Sequence, residues 1–179
     1  LVLILVLMII SVMAVVGTFL INSVSTFYLD SFYEQMQGVF NQADLMDSLR
    51  EAAAEPGTEG LHTILESHAS ALGIDDYRNY YILDGQGRYL DGSNPNLTVT
   101  RTSNIIAAMA GGTGTRSGVS DSIMDIAVPI DKDDDGAVDY IIYVADDKQT
   151  ISDLSWRFFQ IVMQAMMFGL LAAILLSFL

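Results

Sequence analysis

The chain has no cysteine among its 179 residues and only two histidines. The lack of cysteine excludes disulfide bonds, thiolate metal sites and cysteine nucleophiles. The signature motifs of α/β-hydrolases, phosphate-binding loops and zinc proteases are also absent from the sequence. We therefore expect no enzyme active site in residues 30–157.

Charge is missing from both ends of the chain. Residues 158–179 carry none, and they follow Trp156 and Arg157, an aromatic and a cation of the kind found at lipid headgroup level. The first charged residue is Asp30. A bilayer core needs about 20 apolar residues in a helix, so each end predicts a transmembrane helix. A signal peptide is the alternative for the first, but residues 1–21 lack a basic region and a clear A-x-A cleavage site.

All charges lie in the middle, where 22 acidic and 8 basic residues give a net charge of −14. This excess disfavours nucleic acid as a partner, because binding it needs clustered Lys and Arg. Divalent cations or cationic peptides suit such a surface, although acidity also simply keeps a domain soluble. We predict three parts: a transmembrane helix and its exit at 1–29, an extracytoplasmic domain at 30–157, and a second transmembrane helix at 158–179. We expect the second helix to lead into a cytoplasmic region after Leu179.

The segment after the first apolar run predicts a long helix. Residues 22–49 contain no proline, and apolar residues spaced three and four apart indicate a heptad stripe. The stripe comprises Leu29, Phe32, Met36, Val39, Ala43 and Met46. It favours packing on the chain's own domain, with a dimer contact as the alternative. Glu55-Pro56-Gly57 should end the helix, and a second helix should run from Thr58 to Gly73.

The next region changes to strands. The pattern predicts a β-hairpin around Gly85-Gln86-Gly87, then a short helix capped by Thr102 or Ser103 and ending at Gly111-Gly112. A short strand is expected at 115–119, and two longer strands at 123–130 and 137–145. The last helix should begin near Asp146 or Asp147. The order predicts an α+β domain with one antiparallel sheet and a long N-terminal helix.

Three stretches carry a family resemblance: YYILDGQGRYLDGSNP, NIIAAMAGG, and the strand pair IAVPI and YIIYVADD with the helix that follows. Together they resemble the extracytoplasmic sensor of a bacterial sensor histidine kinase, a PAS-like (Cache or PDC-type) domain between two transmembrane helices. The resemblance implies a homodimer in the bacterial cell membrane and a cytoplasmic kinase that passes phosphate to a response regulator. No kinase motif lies in these residues, so kinase activity is implied only for a longer protein.

The resemblance also implies a small-molecule pocket on the sheet, which would mix aromatic residues with a few polar anchors. The candidates for ligand contact are Tyr81, Arg88, Tyr89, Arg101 and Arg116. A surface or core role is the alternative for each of them.

The turn DKDDDG and the residues after it resemble the opening of a calcium loop. Asp131, Asp133, Asp135 and Asp139 stand at positions 1, 3, 5 and 9, and Gly136 stands at position 6. Position 12 is Ile142, where the EF-hand loop has a bidentate Glu. The turn is therefore a candidate site for Ca²⁺ or another divalent cation, with a plain acidic hairpin turn as the favoured alternative.

The second apolar run also has two faces suited to helix packing. Small residues spaced four apart allow another helix to approach closely, and glutamines in hydrocarbon seek partners. These residues are Gln160, Gln164, Ala165, Gly169 and Ala173.

The leading functional hypothesis is the signal-sensing region of a membrane sensor histidine kinase. The alternatives are the sensor of a chemoreceptor or membrane cyclase, and a membrane-tethered, cation-dependent binding or adhesion module.

Overall fold

The computed structural model describes residues 2–94, 99–114 and 116–177. The chain forms two compact units. The first comprises Leu1–Tyr28 and Gln149–Leu179, and the second comprises Leu29–Lys148. The elements are α1 (Val2–Phe40), α2 (Ala43–Ala54), α3 (Glu59–Ser67), α4 (Ala69–Leu72), β1 (Arg78–Asp84), β2 (Tyr89–Gly92), α5 (Ser103–Met109), β3 (Met124–Ile130), β4 (Tyr140–Asp146) and α6 (Gln149–Ser177).

Two helical segments are long and apolar enough to span a bilayer. They cover 35 residues over Val6–Phe40 and 24 residues over Gln149–Ala172. Large apolar side chains on both are exposed, among them Phe19 at 71% and Phe168 at 72%. Apolar exposure on this scale is uncommon on soluble domains and suits a lipid or protein partner.

The long helix α1 buries part of its apolar stripe in the second unit. Leu29, Phe32, Met36 and Val39 are all buried within the single chain. This agrees with the preference for packing on the chain's own domain.

The predicted continuation of α1 to Leu49 is wrong. The helix ends at Phe40, and Gln42 adopts an extended conformation before α2 begins. The residues that α2 buries are Leu45, Leu49 and Ala53, not the predicted Ala43 and Met46. The break lets α2 bury this different face, which a straight continuation of the heptad would not do.

The second predicted helix is interrupted at His68. Helix α3 buries Leu61 and Leu65, and α4 ends at Gly73 with φ of +68°. The His68 ring is half-buried at the junction, and its Nδ1 lies 2.9 Å from the backbone oxygen of Ile64. The ring thus hydrogen-bonds a backbone carbonyl in the last turn of α3 instead of packing fully in the core.

The four strands form one antiparallel sheet in the order β2-β1-β4-β3. The central strands β1 and β4 pair with Tyr81 opposite Tyr143 and Ile82 opposite Ile142. One face of the sheet packs on α5, through a cluster that includes Tyr81, Tyr143 and Ile105. Tyr80 and Ile82, which point to the opposite face, are also fully buried. The α+β class, the hairpin and the long N-terminal helix are confirmed.

Helix α5 begins as its cap residue predicts. Thr102 is extended, and its side chain accepts a hydrogen bond from the Ile105 N–H.

Three predicted boundaries differ. The strand expected at 115–119 is absent from 116–119, and Thr115 lies outside the described residues. Strand β4 begins at Tyr140 and extends to Asp146, so α6 begins later, at Gln149. Lys148 has φ of +58°, a left-handed conformation that separates the strand from the helix.

Candidate functional site

Two adjoining cavities lie beside α5 and the sheet, with volumes of about 230 and 510 Å³. They share Thr100 and Ile123 in their linings, and we refer to them together as the α5 cleft. The smaller one is lined by Tyr81 and Tyr143 of the central strands. The larger is rich in hydroxyl and amide groups from Thr100, Thr102, Ser103, Asn104, Ser117 and Ser122. Aromatic surface and polar groups thus occur together, as in binding sites for small molecules.

A buried carboxylate, Asp125 of β3, lies in the wall of the α5 cleft and is only 4% exposed. Its Oδ1 accepts hydrogen bonds from Asn104 Nδ2 at 2.8 Å and from Ser117 Oγ at 3.1 Å. Its Oδ2 accepts one from the Tyr143 hydroxyl at 3.1 Å. Burial, followed by the nearby Asp125 charge, raises the pKa of Tyr143, so its phenol stays protonated and donates at neutral pH.

Helix α1 reaches the backbone of Asp125 and the neighbouring Ser117 through Tyr33. The Tyr33 hydroxyl lies 3.0 Å from both Ser117 Oγ and the backbone oxygen of Asp125, and it accepts from the Ser117 N–H at 2.6 Å. The Arg116 guanidinium lies 4.9 Å from the centre of the Tyr33 ring and pairs with Asp30 of the same helix. The loop beside the cleft is therefore held directly to α1.

The residue before α6 is held to the same rim. The Lys148 ammonium donates to the backbone oxygens of Gly118 at 2.9 Å and Asp121 at 2.6 Å, and lies 3.5 Å from that of Val119. Burial lowers the pKa of Lys148, against the attraction of Asp121 and Asp146. Asp121 also lines the cleft, so Lys148 is held directly to the cleft rim.

The predicted ligand residues are only partly brought together. Tyr81 and Arg116 line the cleft. The Arg88 side chain is 70% exposed and pairs with Asp84, and Arg101 donates to the backbone oxygen of Gln86. Tyr89 is 40% exposed and contacts the edge of Tyr81.

The sequence reasoning missed Asp125 and Tyr143. Asp125 could have been found, because it is the only charged residue in the otherwise apolar strand MDIAVPI.

Three of the four predicted cation ligands converge in the acidic turn. Carboxylate oxygens of Asp131, Asp133 and Asp139 lie within 4.8 Å of one another. Asp135 instead accepts a hydrogen bond from the Ala137 N–H at 2.7 Å. Asp139 also pairs with Lys132, whose Nζ lies 2.8 Å from its Oδ1. The turn thus has an internal cation that would compete with a metal ion for Asp139.

The internal hydrogen bonds of this turn hold its carboxylates ionised. The slight burial of Asp139 would raise its pKa, but hydrogen bonds from the Lys132 side chain and backbone lower it overall. Burial would likewise raise the pKa of Asp131, and backbone N–H groups from Gly136 and its neighbours lower it.

We expect the Asp139→Asn substitution to lower the thermal midpoint of the second unit by at most a few degrees at pH 7. Because the folded pKa is depressed, the contribution of Asp139 is complete above the unfolded pKa of roughly 3.9 and is lost as the pH falls through the folded value. The difference from wild type should therefore shrink below about pH 4. Circular dichroism melts between pH 2.5 and 7 measure it. The control is Asp133→Asn in the same turn, and an equal pH profile for both variants would contradict the assignment to the Lys132 pair.

The packing residues predicted in α6 lie on an exposed face. Gln160, Gln164, Ala165 and Gly169 are exposed, and the Ala173 side chain lies outside the described residues. Within the first unit, a groove of about 400 Å³ between the two helices is lined instead by residues such as Gly17, Phe159 and Met163. The glutamine and small-residue face is thus left available for another helix.

A second polar cluster lies on the opposite face of the sheet. The Tyr80 hydroxyl donates to Glu66 at 3.0 Å, and His62 Nδ1 lies 3.2 Å from Asp91 Oδ2. Burial and the neighbouring Glu66 raise the pKa of Tyr80. This cluster joins α3 to the hairpin and lines neither cavity of the α5 cleft.

No known protein-family model matches the chain, and a search of curated proteins finds no match.

Proposed function

We propose that the chain is the membrane-anchored, signal-sensing region of a bacterial sensor histidine kinase, with a PAS-like extracytoplasmic domain at residues 30–157. The observation that carries the proposal is the combination of a polar cleft in an α+β domain with apolar helices at both ends. The cleft supplies a place for a small molecule, and the helices supply an anchor in the bilayer. A homodimer would use the exposed glutamine and small-residue face of α6.

Two contacts support a route from the cleft to these helices. Tyr33 joins the Asp125 and Ser117 region to α1, and Lys148 joins the 118–121 rim to the residue before α6. A ligand that changes the rim would therefore act on both connections. It can shift the receptor only by its differential affinity for two arrangements of them.

Membrane topology is tested by cysteine labelling, for which the cysteine-free chain is suited. Ser48 and Ser120 are exposed, and each can be replaced by cysteine in separate variants. In intact cells, a membrane-impermeant maleimide should label both. Labelling only after lysis would place the domain in the cytoplasm and contradict the proposal.

Signalling is tested by inserting Gly-Ser-Gly-Ser between Lys148 and Gln149, in a fusion that carries a known kinase region after Leu179. Because such a linker is flexible, we expect the kinase to lose its response to the signal. The control is the same insertion between Asp134 and Asp135, in the exposed acidic turn. Autophosphorylation in membrane vesicles is the readout. A full response with the linker after Lys148 would exclude α6 as the helix that transmits the signal. The chemoreceptor or cyclase alternative is tested by replacing the fused kinase region with the corresponding region of one of those proteins.

The convergence of Asp131, Asp133 and Asp139 supports a second candidate, a membrane-tethered module that binds Ca²⁺. Calorimetric titration of the full chain in lipid nanodiscs with Ca²⁺ tests it directly. Heat of binding that disappears in Asp133→Asn would support this candidate. If wild type gives no heat, the segment is a plain acidic hairpin turn without a bound cation.

A further inference from the structure

The charges around the α5 cleft are unbalanced in favour of acid. Four carboxylates line it, from Asp76, Asp121, Asp125 and Asp147, against one guanidinium, that of Arg116. Arg116 is already paired with Asp30. The smaller cavity, beside Tyr81 and Tyr143, has no Lys or Arg in its described lining.

Asp125 is the most telling of the four, because it is buried without a cation. Its side-chain hydrogen-bond donors, Asn104, Ser117 and Tyr143, are all neutral, and it forms no ion pair with the described residues 2–94, 99–114 and 116–177. An ionised carboxylate has about four acceptor positions, and these donors fill three of them. A buried charge is unfavourable unless it is paired, so this position favours a cationic partner.

The two basic groups at the cleft and its rim, those of Arg116 and Lys148, have other partners. The Arg116 guanidinium lies over the Tyr33 ring and against Asp30 of α1. The Lys148 ammonium lies against the backbone oxygens of residues 118, 119 and 121. Around Asp125, α5 and β4 present the amide of Asn104 and the phenol of Tyr143. A cationic partner for Asp125 would therefore come from outside the second unit.

We propose that the α5 cleft binds a small organic molecule that carries a protonated amine. The ammonium group would be attracted by Asp125, and the carbon skeleton would lie along Tyr81 and Tyr143, whose rings attract cations and apolar groups alike. The inference rests on the proposed sensing function, because it names the ligand class of the same cleft. Anions would be repelled by the four carboxylates, and a bare metal ion would leave most of a cavity of about 510 Å³ unfilled.

The test titrates the full chain in nanodiscs of zwitterionic lipid with putrescine, in 150 mM NaCl, by calorimetry. The salt screens the general attraction of the acidic surface, because the Debye length is then about 8 Å. The matched probes are 1,4-butanediol, which is neutral, and succinate, which is anionic and has the same four carbons. We expect saturable binding of putrescine and no binding of the other two.

Variants assign the binding to the cleft. Asp125→Asn should weaken putrescine about tenfold or more, because a hydrogen bond to a charged group is lost. Ser122→Trp should do the same by filling the larger cavity from its exposed rim, without touching the buried carboxylate. The controls are Asp44→Asn, which removes an equal charge, and Ser48→Trp, which adds an equal bulk. Both lie on exposed positions of α2 and should leave the affinity unchanged.

Equal binding of putrescine and butanediol, tighter binding of succinate, or no effect of Ser122→Trp would overturn the ligand class or its site. No binding of putrescine would do the same. If Asp125→Asn fails to fold, as near-ultraviolet circular dichroism would show, Ser122→Trp still tests whether putrescine binds in the cleft. The fused kinase separates this inference from the proposed function: putrescine that binds in the cleft but leaves autophosphorylation unchanged refutes sensing of this ligand by the kinase. If putrescine does not bind, but the Gly-Ser-Gly-Ser insertion after Lys148 still abolishes the response of the kinase to its signal, only the ligand class is refuted.

Discussion

Replacing Arg78 by alanine is expected to lower the free energy of unfolding of the second unit by about 3–5 kcal/mol, because it leaves a buried carboxylate unpaired. Arg78 Nε lies 3.0 Å from Asp146 Oδ2, and the two side chains are only 13% and 8% exposed. Its Nη1 also donates to Gln35 Oε1 at 2.8 Å and to the Leu72 backbone oxygen at 3.1 Å. One side chain thus joins α1, α4 and the end of β4.

The guanidinium shape matters here as well as the charge. Arg78 makes these three contacts from a planar group that lies 4.9 Å from the centre of the Phe32 ring. A lysine ammonium is a point charge without this fork, so Arg78→Lys should recover only part of the loss. Full recovery by lysine would show that charge alone is sufficient.

The second arginine of the hairpin provides a matched control. Arg88 pairs with Asp84 through the same atoms, Nε and Oδ2, but its side chain is 70% exposed. Exposed pairs contribute about 0–1 kcal/mol, so Arg88→Ala should have a small effect. Urea unfolding of the full chain in detergent, followed by near-ultraviolet circular dichroism, measures both. All tyrosines except Tyr28 lie in the second unit, and the single tryptophan, Trp156, lies in the first. With Trp156 replaced by phenylalanine in every variant, the signal reports mainly on the second unit. Similar losses for the two variants would refute the role of burial.

The contrast between these arginines shows what the sequence could predict. Local patterns predicted the hairpin, α5 with its Thr102 cap, the strands β3 and β4 and the two apolar helices, because periodicity and capping act over a few residues. The same patterns did not indicate that Arg78, and not Arg88, is the buried arginine. Its partners Gln35 and Asp146 are 43 and 68 residues away, and only the tertiary fold brings them together.

The same limit explains why the sequence did not predict the helix break after Phe40 or the grouping of residues in the cleft. Helical periodicity continues through Asn41 and Gln42, so the pattern favoured one helix, whereas packing of Leu45 and Leu49 required a new direction. The cleft combines Asp125 and Tyr143 with Ser117, which lies outside any helix or strand, and their meeting depends on strand register and loop position. Spacing along the chain therefore identified candidate residues such as Tyr81 and could not group them.

The apolar stripe of α1 gives the second large prediction. Phe32 is 1% exposed, meets the edge of Tyr33 at 5.1 Å between ring centres, and carries the Arg78 guanidinium on its ring. Phe32→Ala should lower the free energy of unfolding by about 3–5 kcal/mol, through lost burial and the cavity that remains. Phe27→Ala on the same helix is the control, because Phe27 is 67% exposed.

This substitution also separates the two roles that a heptad stripe can have. If Phe32 packs within its own chain, the loss should be the same at every protein concentration. A loss that grows on dilution would instead place Phe32 in a dimer contact, because association depends on concentration. The double variant with Arg78→Ala adds a sharper test. The guanidinium and the ring are in contact, so the two losses should sum to more than the double variant loses. Strict additivity would show that the Arg78 cluster and the α1 stripe stabilise the domain independently, and that α1 is held to the sheet by packing alone.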